Sequence, residues 1–191
     1  FDTIAAKLGP VMFVKPAGAG SSVGVSKVTN QPELDAAINE SHMHDDLVLI
    51  ERAISGRELE VAVLGNYPDI RVSVVGEIKP DREFYSYEAK YDQSSSSEVV
   101  IPADIPDEVN ETIKKSALQI FQTIGGSGLS RVDFFLDSDG KVFFNELNSI
   151  PGFTDISMYS KLWQHDGIEY GDLINTLIML ALKRTIKAEE K

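Results

Sequence analysis

Arg131-Val132-Asp133-Phe134-Phe135-Leu136, the turn Asp137-Ser138-Asp139-Gly140, and Lys141-Val142-Phe143-Phe144-Asn145-Glu146-Leu147-Asn148 form the stretch around which the chain is organised. Two runs of β-forming residues flank an Asp-Gly pair, the strongest short-range hairpin signal. Side chains alternate along a strand, so Arg131 and Asp133 share one face, as do Glu146 and Asn148. A two-residue loop at Asp139-Gly140 pairs Ser138 with Lys141, which sets Asp133 opposite Glu146 and Arg131 opposite Asn148. Opposed Cβ atoms lie about 4.5–5.5 Å apart, so the two carboxylates repel unless a cation stands between them. Carboxylates with an amide carbonyl are the donor set of a hard divalent ion. An ordinary hairpin with a solvated polar face is the plain alternative. Against it stands the irregular loop Asn148-Ser149-Ile150-Pro151-Gly152-Phe153-Thr154, where backbone N–H groups can meet a ligand.

Outward from the hairpin, composition narrows the classes. The chain has 191 residues, 42% hydrophobic and 25% charged, which suits one large domain or two small ones. It contains no cysteine, which excludes disulfides, thiolate metal sites and cysteine nucleophiles. The net charge of −12 argues against a nucleic-acid surface. Phosphate chemistry on such a chain needs a few Lys or Arg side chains, or metal ions, gathered at one place. Neither a long apolar run nor a signal pattern points to a membrane or to secretion.

Residues 1–9 read as the tail of a helix, and a start inside a helical pattern without Met reads as a truncation. Strands are expected at Val11–Lys15, Val25–Val28 and Leu47–Glu51, and around a turn at Asn66–Asp69. Helices are expected after the Asn30 cap, after Pro106, near Met158–Trp163 and from about Gly171. Ser55-Gly56 marks a boundary, dividing the chain into 1–54 and 55–191. Residues 84–98 are polar and aperiodic, as a lid or linker is.

Gly18-Ala19-Gly20-Ser21-Ser22-Val23-Gly24 lies between two strands. Glycines let backbone N–H groups approach phosphate, and hydroxyls add donors. The loop lacks the Gly-Lys-Ser/Thr of a P-loop, and a strand rather than a helix follows it. It reads equally as a flexible turn, and Lys15 on the preceding strand favours phosphate. Glu51 ends a buried strand and Glu58 follows seven residues on; taken alone, Glu51 reads sooner as an exposed strand-end carboxylate, and Glu58 is similarly ambiguous. The three histidines have no metal-ligand spacing.

Val14-Lys15-Pro16, Ser21-Ser22-Val23-Gly24, Ile50-Glu51, Tyr87-Glu88-Ala89-Lys90-Tyr91, Arg131-Val132-Asp133 and Asn145 to Thr154 together resemble the D-alanine–D-alanine ligases, from Leu8 to about Arg184. The resemblance implies an α+β, ATP-grasp fold, two α/β subdomains with largely antiparallel sheets gripping ATP. Residues 1–54 would be the central subdomain, cut at its start, and 55–191 the C-terminal one. It implies ligation of two D-alanines through an acyl phosphate in peptidoglycan synthesis, in the cytoplasm, with ATP and two Mg²⁺ (or Mn²⁺). Lys15 then matches the phosphate lysine, with Ser22, Val23 and Gly24 over the phosphates. Glu51 matches the adenine carboxylate, with Arg52, Ala53 and Ile54 lining the base, and Glu58 the ribose acceptor. Lys90 matches the lid lysine at the γ-phosphate, and Tyr91 a latch bonded to Ser21. Asp133, Glu146 and Asn148 match the metal ligands. Arg131 and the Gly152 N–H match the groups on the acyl phosphate and oxyanion, and Ser157 and Met158 those on the second D-alanine's carboxylate. The N-terminal domain of full-length members, homodimers by the same resemblance, does not precede Phe1, so the fragment is expected to be inactive alone. The rival readings are a D-alanyl–D-lactate ligase, another ATP-grasp carboxylate–amine ligase, and a non-catalytic nucleotide-binding module.

Overall fold

The computed structural model describes residues 1–20, 22–79 and 98–189, with side chains to residue 184. Within these, contacts divide the chain into two units, one within residues 1–54 and one comprising 55–79 and 98–189.

In the first unit, α1 (Asp2–Leu8), β1 (Met12–Pro16), β2 (Ser26–Val28), α2 (Gln31–His42) and β3 (Val48–Arg52) follow one another. The three strands pair antiparallel in the order β2-β1-β3. Asn30 caps α2 by accepting from the Glu33 N–H, while the Glu33 carboxylate reaches back to Thr29. Alternation along β1 puts Met12 and Val14 in a core with Val28, Leu34 and Ala37, joined by Phe1, Ile4, Val48 and Ile50. Phe13, Lys15, Leu49 and Glu51 are thereby left on the opposite sheet face.

The second unit is built on five antiparallel strands in the order β6-β5-β4-β7-β8: β4 (Gly56–Asn66), β5 (Asp69–Lys79), β6 (Glu98–Val100), β7 (Gly128–Asp137) and β8 (Val142–Asn148). Glu98, expected in the polar loop, opens edge strand β6. The amphipathic α3 (Asp107–Thr123) covers one face, burying Ile113, Ala117 and Phe121 on Leu59, Val61, Val63, Val132 and Phe134. On the other face, α4 (Met158–His165) and α5 (Tyr170–Glu189) bury Tyr159, Leu162, Trp163 and Leu173 against Ala62 and Leu64. Side chains of this size contribute about 1.5–3 kcal/mol each on full burial. Along β4 that second face changes character: Ala62 and Leu64 are apolar, whereas Glu60 and Glu58 are acidic. The change places the candidate site.

The β7–β8 turn differs from the two-residue loop expected. Asp137 N–H bonds the Lys141 carbonyl, so Ser138, Asp139 and Gly140 form a three-residue loop, with Gly140 at a φ of 79°. That shifts the pairing near the turn by one residue, to Leu136 with Val142 and Phe134 with Phe144. An irregularity between Asp133 and Phe134 then admits Asn145 as an extra residue on β8. Beyond it, Asp133 faces Glu146 and Arg131 faces Asn148. Two departures from the regular hairpin cancel, and the pairs that matter are those expected.

Among the described residues no helix is long and apolar enough to cross a membrane.

Candidate active site

Each unit carries a polar cluster that includes sequence-predicted site residues. In the first, Lys15 stands opposite Leu49 on β1–β3 and Glu51 two residues further along the same face. Their side chains meet diagonally, with Lys15 Nζ 2.8 Å from Glu51 Oε2. The residues expected on phosphate and adenine are thus partners in this state. Arg52 turns away, donating from Nε to the Leu8 carbonyl at 3.1 Å and from its second nitrogen to that of Lys7 at 3.3 Å. Its guanidinium satisfies the orphan carbonyls at the end of α1. Ala53 extends the sheet edge through an N–H bond to the Val11 carbonyl, and Ile54 follows, half-buried.

The glycine loop is fastened from the α2–β3 connection. The Gly18 N–H donates to Asp45 Oδ2 at 2.6 Å, and the buried Ser41 hydroxyl donates to the Gly24 carbonyl at 2.8 Å. Backbone bonds from Leu47 and Gly18 hold the Asp45 carboxyl below its usual range. A Cβ on Gly24 would lie 2.7 Å from the His44 ring, and φ there is 68°, so only glycine fits. Ser22, at a φ of 59°, and Val23 complete the turn, with the Val23 N–H on the Gly20 carbonyl. Ser21, Lys90 and Tyr91 lie outside the described residues.

In the second unit, Arg131 forks onto Asp133, Nε to Oδ1 and the terminal nitrogen to Oδ2, both at 2.7 Å. Asn148 Nδ2 donates to Asp133 at 3.0 Å and to Glu146 at 3.3 Å. Glu60, opposite Asp133 on β4, brings Oε2 to 3.0 Å from Arg131 Nε. Two carboxylates, Asp133 and Glu60, therefore pair with one guanidinium, and the charge of Glu146 lies close enough to act on it. Burial, followed by the charge of Glu146, pushes the Asp133 carboxyl above its usual range even though Arg131 and Asn148 pull it down. Burial alone would favour the neutral guanidine of Arg131, but its bonds to Asp133 and the charges of Glu60 and Glu146 raise its pKa. Glu58 sits on the same face as Glu60, exposed to solvent.

Asp133, Glu146 and Asn148 fit a hard divalent cation by this charge excess and by their oxygen donors. Asn148 would offer Oδ1 in place of the Nδ2 it now presents. Among the described residues no three His, Cys, Asp or Glu side chains form a metal-holding group, and here the third donor is an amide.

The loop after β8 is pinned by Phe153, whose ring packs on Tyr159 and Tyr170 with centroids 5.9 and 5.5 Å away. Gly152 is exposed beside it. Ser157, at the N-cap of α4, bonds within the loop, its Oγ accepting from the Thr154 N–H at 3.1 Å and meeting Thr154 Oγ1 at 2.8 Å. The Met158 side chain is in the core, so a ligand would meet its backbone N–H.

Sequence reasoning overlooked Glu60, Ser41 and Asp45. A signal existed for Glu60, a charged residue between the apolar Leu59 and Val61. None existed for the other two, whose roles depend on where α2 ends.

The D-ala D-ala ligase C-terminus model matches residues 1–179, and the chain belongs to that family. It is 52% identical over 185 residues to the D-alanine–D-alanine ligase of Shouchella clausii, covering 96% of this chain and 50% of that protein. With D-alanine–D-alanine ligase A of Salmonella typhimurium the identity is 50% over 184 residues, covering 96% and 50%. Among solved structures, the VanG D-Ala:D-Ser ligase from Enterococcus faecalis superposes with a TM-score of 0.81 at 40% identity, covering 94% of this chain and 52% of the other. The D-alanine–D-alanine ligase from Coxiella burnetii gives 0.81 at 36%, covering 94% and 47%. The fold is the α+β, ATP-grasp architecture implied by the sequence motifs. The chain spans about half the length of the curated relatives it matches.

Proposed function

We propose that this chain is the C-terminal part of an ATP-dependent, ADP-forming ligase that joins two D-alanines for peptidoglycan synthesis in the cytoplasm. Its two units serve as the central subdomain, residues 1–54, and the C-terminal subdomain, residues 55–191. The N-terminal domain of the same enzyme completes it, and the whole is a homodimer. The observation that carries this reading is the β7–β8 face, where an arginine and an amide are set among carboxylates that outnumber the positive charge.

In this reading Glu51, with Arg52, Ala53 and Ile54, receives the adenine, and Glu58 the ribose hydroxyls. Lys15, the Ser22-Val23-Gly24 turn and Lys90 hold the phosphates, and Tyr91 latches the lid to Ser21. Asp133, Glu146 and Asn148 hold two Mg²⁺, or Mn²⁺, which neutralise phosphate charge when bound. A carboxylate oxygen of the first D-alanine attacks the γ-phosphorus, and the bond to ADP breaks. The amine of the second attacks the resulting acyl carbon and loses a proton, and phosphate leaves. Both steps gather negative charge, which Arg131 and the Gly152 N–H are suited to meet. Ser157 and the Met158 N–H hold the second substrate's carboxylate.

Likeness to a D-Ala:D-Ser ligase supports a second reading in which the acceptor is D-serine. Competition between D-alanine, D-serine and D-lactate in the complete natural protein, with products separated by chromatography, tests both. D-alanyl-D-alanine as the main product, with ADP released in step, is expected. No ADP release with any acceptor overturns the proposal. The 191-residue chain alone is expected to form no dipeptide.

A further inference from the structure

Asp133 has both carboxylate oxygens bonded to Arg131 and a third contact from Asn148. A divalent cation reaching Asp133 must take at least one oxygen from the guanidinium. Arg131 is largely buried, at 19% side-chain exposure, so it cannot turn to water for compensation. Among the described residues, the other carboxylate in ion-pair contact with Arg131 is Glu60 on the neighbouring strand, at 10% side-chain exposure. The Nε hydrogen is directed at Asp133, so Glu60 meets the guanidinium here as an ion pair that can strengthen once Asp133 lets go.

Resting on the functional reading above, we propose that Glu60 is a positioning residue: it holds Arg131 from β4, so the guanidinium keeps its place while Asp133 is given over to a cation. The backbone supports this division of labour. Glu60 pairs with Asp133 across β4–β7, and Asp133 with Glu146 across β7–β8. Asp133 is therefore flanked by one acid on each neighbouring strand. Glu60 is buried and already beside the arginine, whereas Glu146 is exposed and on the metal set. One flanking acid serves the arginine and the other the ion. Without Glu60, binding a cation would strand a buried positive charge, and Arg131 would compete for Asp133 instead of ceding it.

The test measures Mn²⁺ binding in the presence of ADP, by electron paramagnetic resonance, in the complete natural protein. Glu60→Gln keeps the shape and removes the charge; its Mn²⁺ dissociation constant is expected to rise about 10–100-fold, the usual range for loss of an outer-shell partner. Glu60→Asp should recover most of that loss, and serves as the test if Glu60→Gln does not fold. In an Arg131→Met background, Glu60→Gln should cause no further weakening, because Glu60 acts through the arginine. Unchanged Mn²⁺ affinity in Glu60→Gln overturns the proposal. So does an equal loss with and without Arg131, which would make Glu60 a direct partner of the ion. If the parent binds no Mn²⁺ with ADP, the functional reading itself fails and this proposal with it.

Discussion

The Ser41 hydroxyl, without solvent exposure, donates to the Gly24 carbonyl at 2.8 Å and ties the end of the glycine loop to the last turn of α2. Ser41→Ala removes the donor and leaves a carbonyl with nothing in its place. A net cost of about 0.5–1.5 kcal/mol in unfolding free energy is expected. If the loop covers the ATP phosphates as proposed, in ground and transition states alike, the KM for ATP in the complete protein should rise while kcat changes little. Steady-state kinetics and urea denaturation check the two halves.

Asp133 makes stability depend on pH in an unusual sense. Its carboxyl is held above the ordinary range by burial and by Glu146, so the folded chain binds more protons than the unfolded one in the window between the two pKa values. Stability contributed by this group therefore falls as pH rises through that window, which opens near the ordinary aspartate value of about 3.9. A divalent cation favours the ionised form and reverses the loss. Thermal melts of the 191-residue chain should show a stabilisation by Mg²⁺ that grows with pH and is absent in Asp133→Asn.

Gly140 closes the hairpin loop at a positive φ with open space around its missing Cβ. Gly140→Ala therefore meets no clash and costs only backbone strain, about 1–2 kcal/mol. Nucleotide binding should be unchanged, since the turn lies at the far end of the hairpin from Asp133. Chemical denaturation with calorimetry on the same variant tests both statements.

Gly152 differs. Its added Cβ would sit 3.4 Å from Ser157 Oγ, an ordinary contact, and its φ is not in the left-handed region. Gly152→Ala should leave stability within about 0.5 kcal/mol. If its N–H meets the reacting oxygen, Gly152→Ala keeps that donor and adds no clash, so the complete enzyme should keep most of its kcat. A loss of stability above that bound would show that the loop needs glycine for its own sake.

Much of this architecture was legible because period and punctuation agree. The Asn30 cap with Glu33, the apolar stripe of α3 and the β7–β8 hairpin each carry a local signature that tertiary context left intact. The facing of Asp133 by Glu146 was also legible, though by a route other than the one inferred. The longer turn and the Asn145 bulge are each a single residue, and nothing in the local sequence distinguishes their sum from a regular hairpin. Edge strand β6 was hidden because three residues beside a serine run carry no period. Glu60 stood out as a charge within an apolar run, but its partner Asp133 depends on which strand β4 lies beside, a fact of topology rather than of pattern. The latch reading of Tyr91, like that of Lys90, falls outside the described residues.

The contact between Lys15 and Glu51 has a consequence for selectivity. A partly exposed pair of this kind is worth about 0–1 kcal/mol, so it is easily exchanged for a better partnership. It also leaves neither charge bare. A free phosphate or sulfate offers the lysine an anion but gives the carboxylate nothing, so the exchange brings little gain. A ligand carrying both an anion and a hydrogen-bond donor, spaced to reach both side chains, satisfies the two at once. If nucleotide binds here as proposed, the resting ion pair tilts selection by at most about 1 kcal/mol toward a ligand that satisfies both side chains over one that meets only the lysine or only the carboxylate.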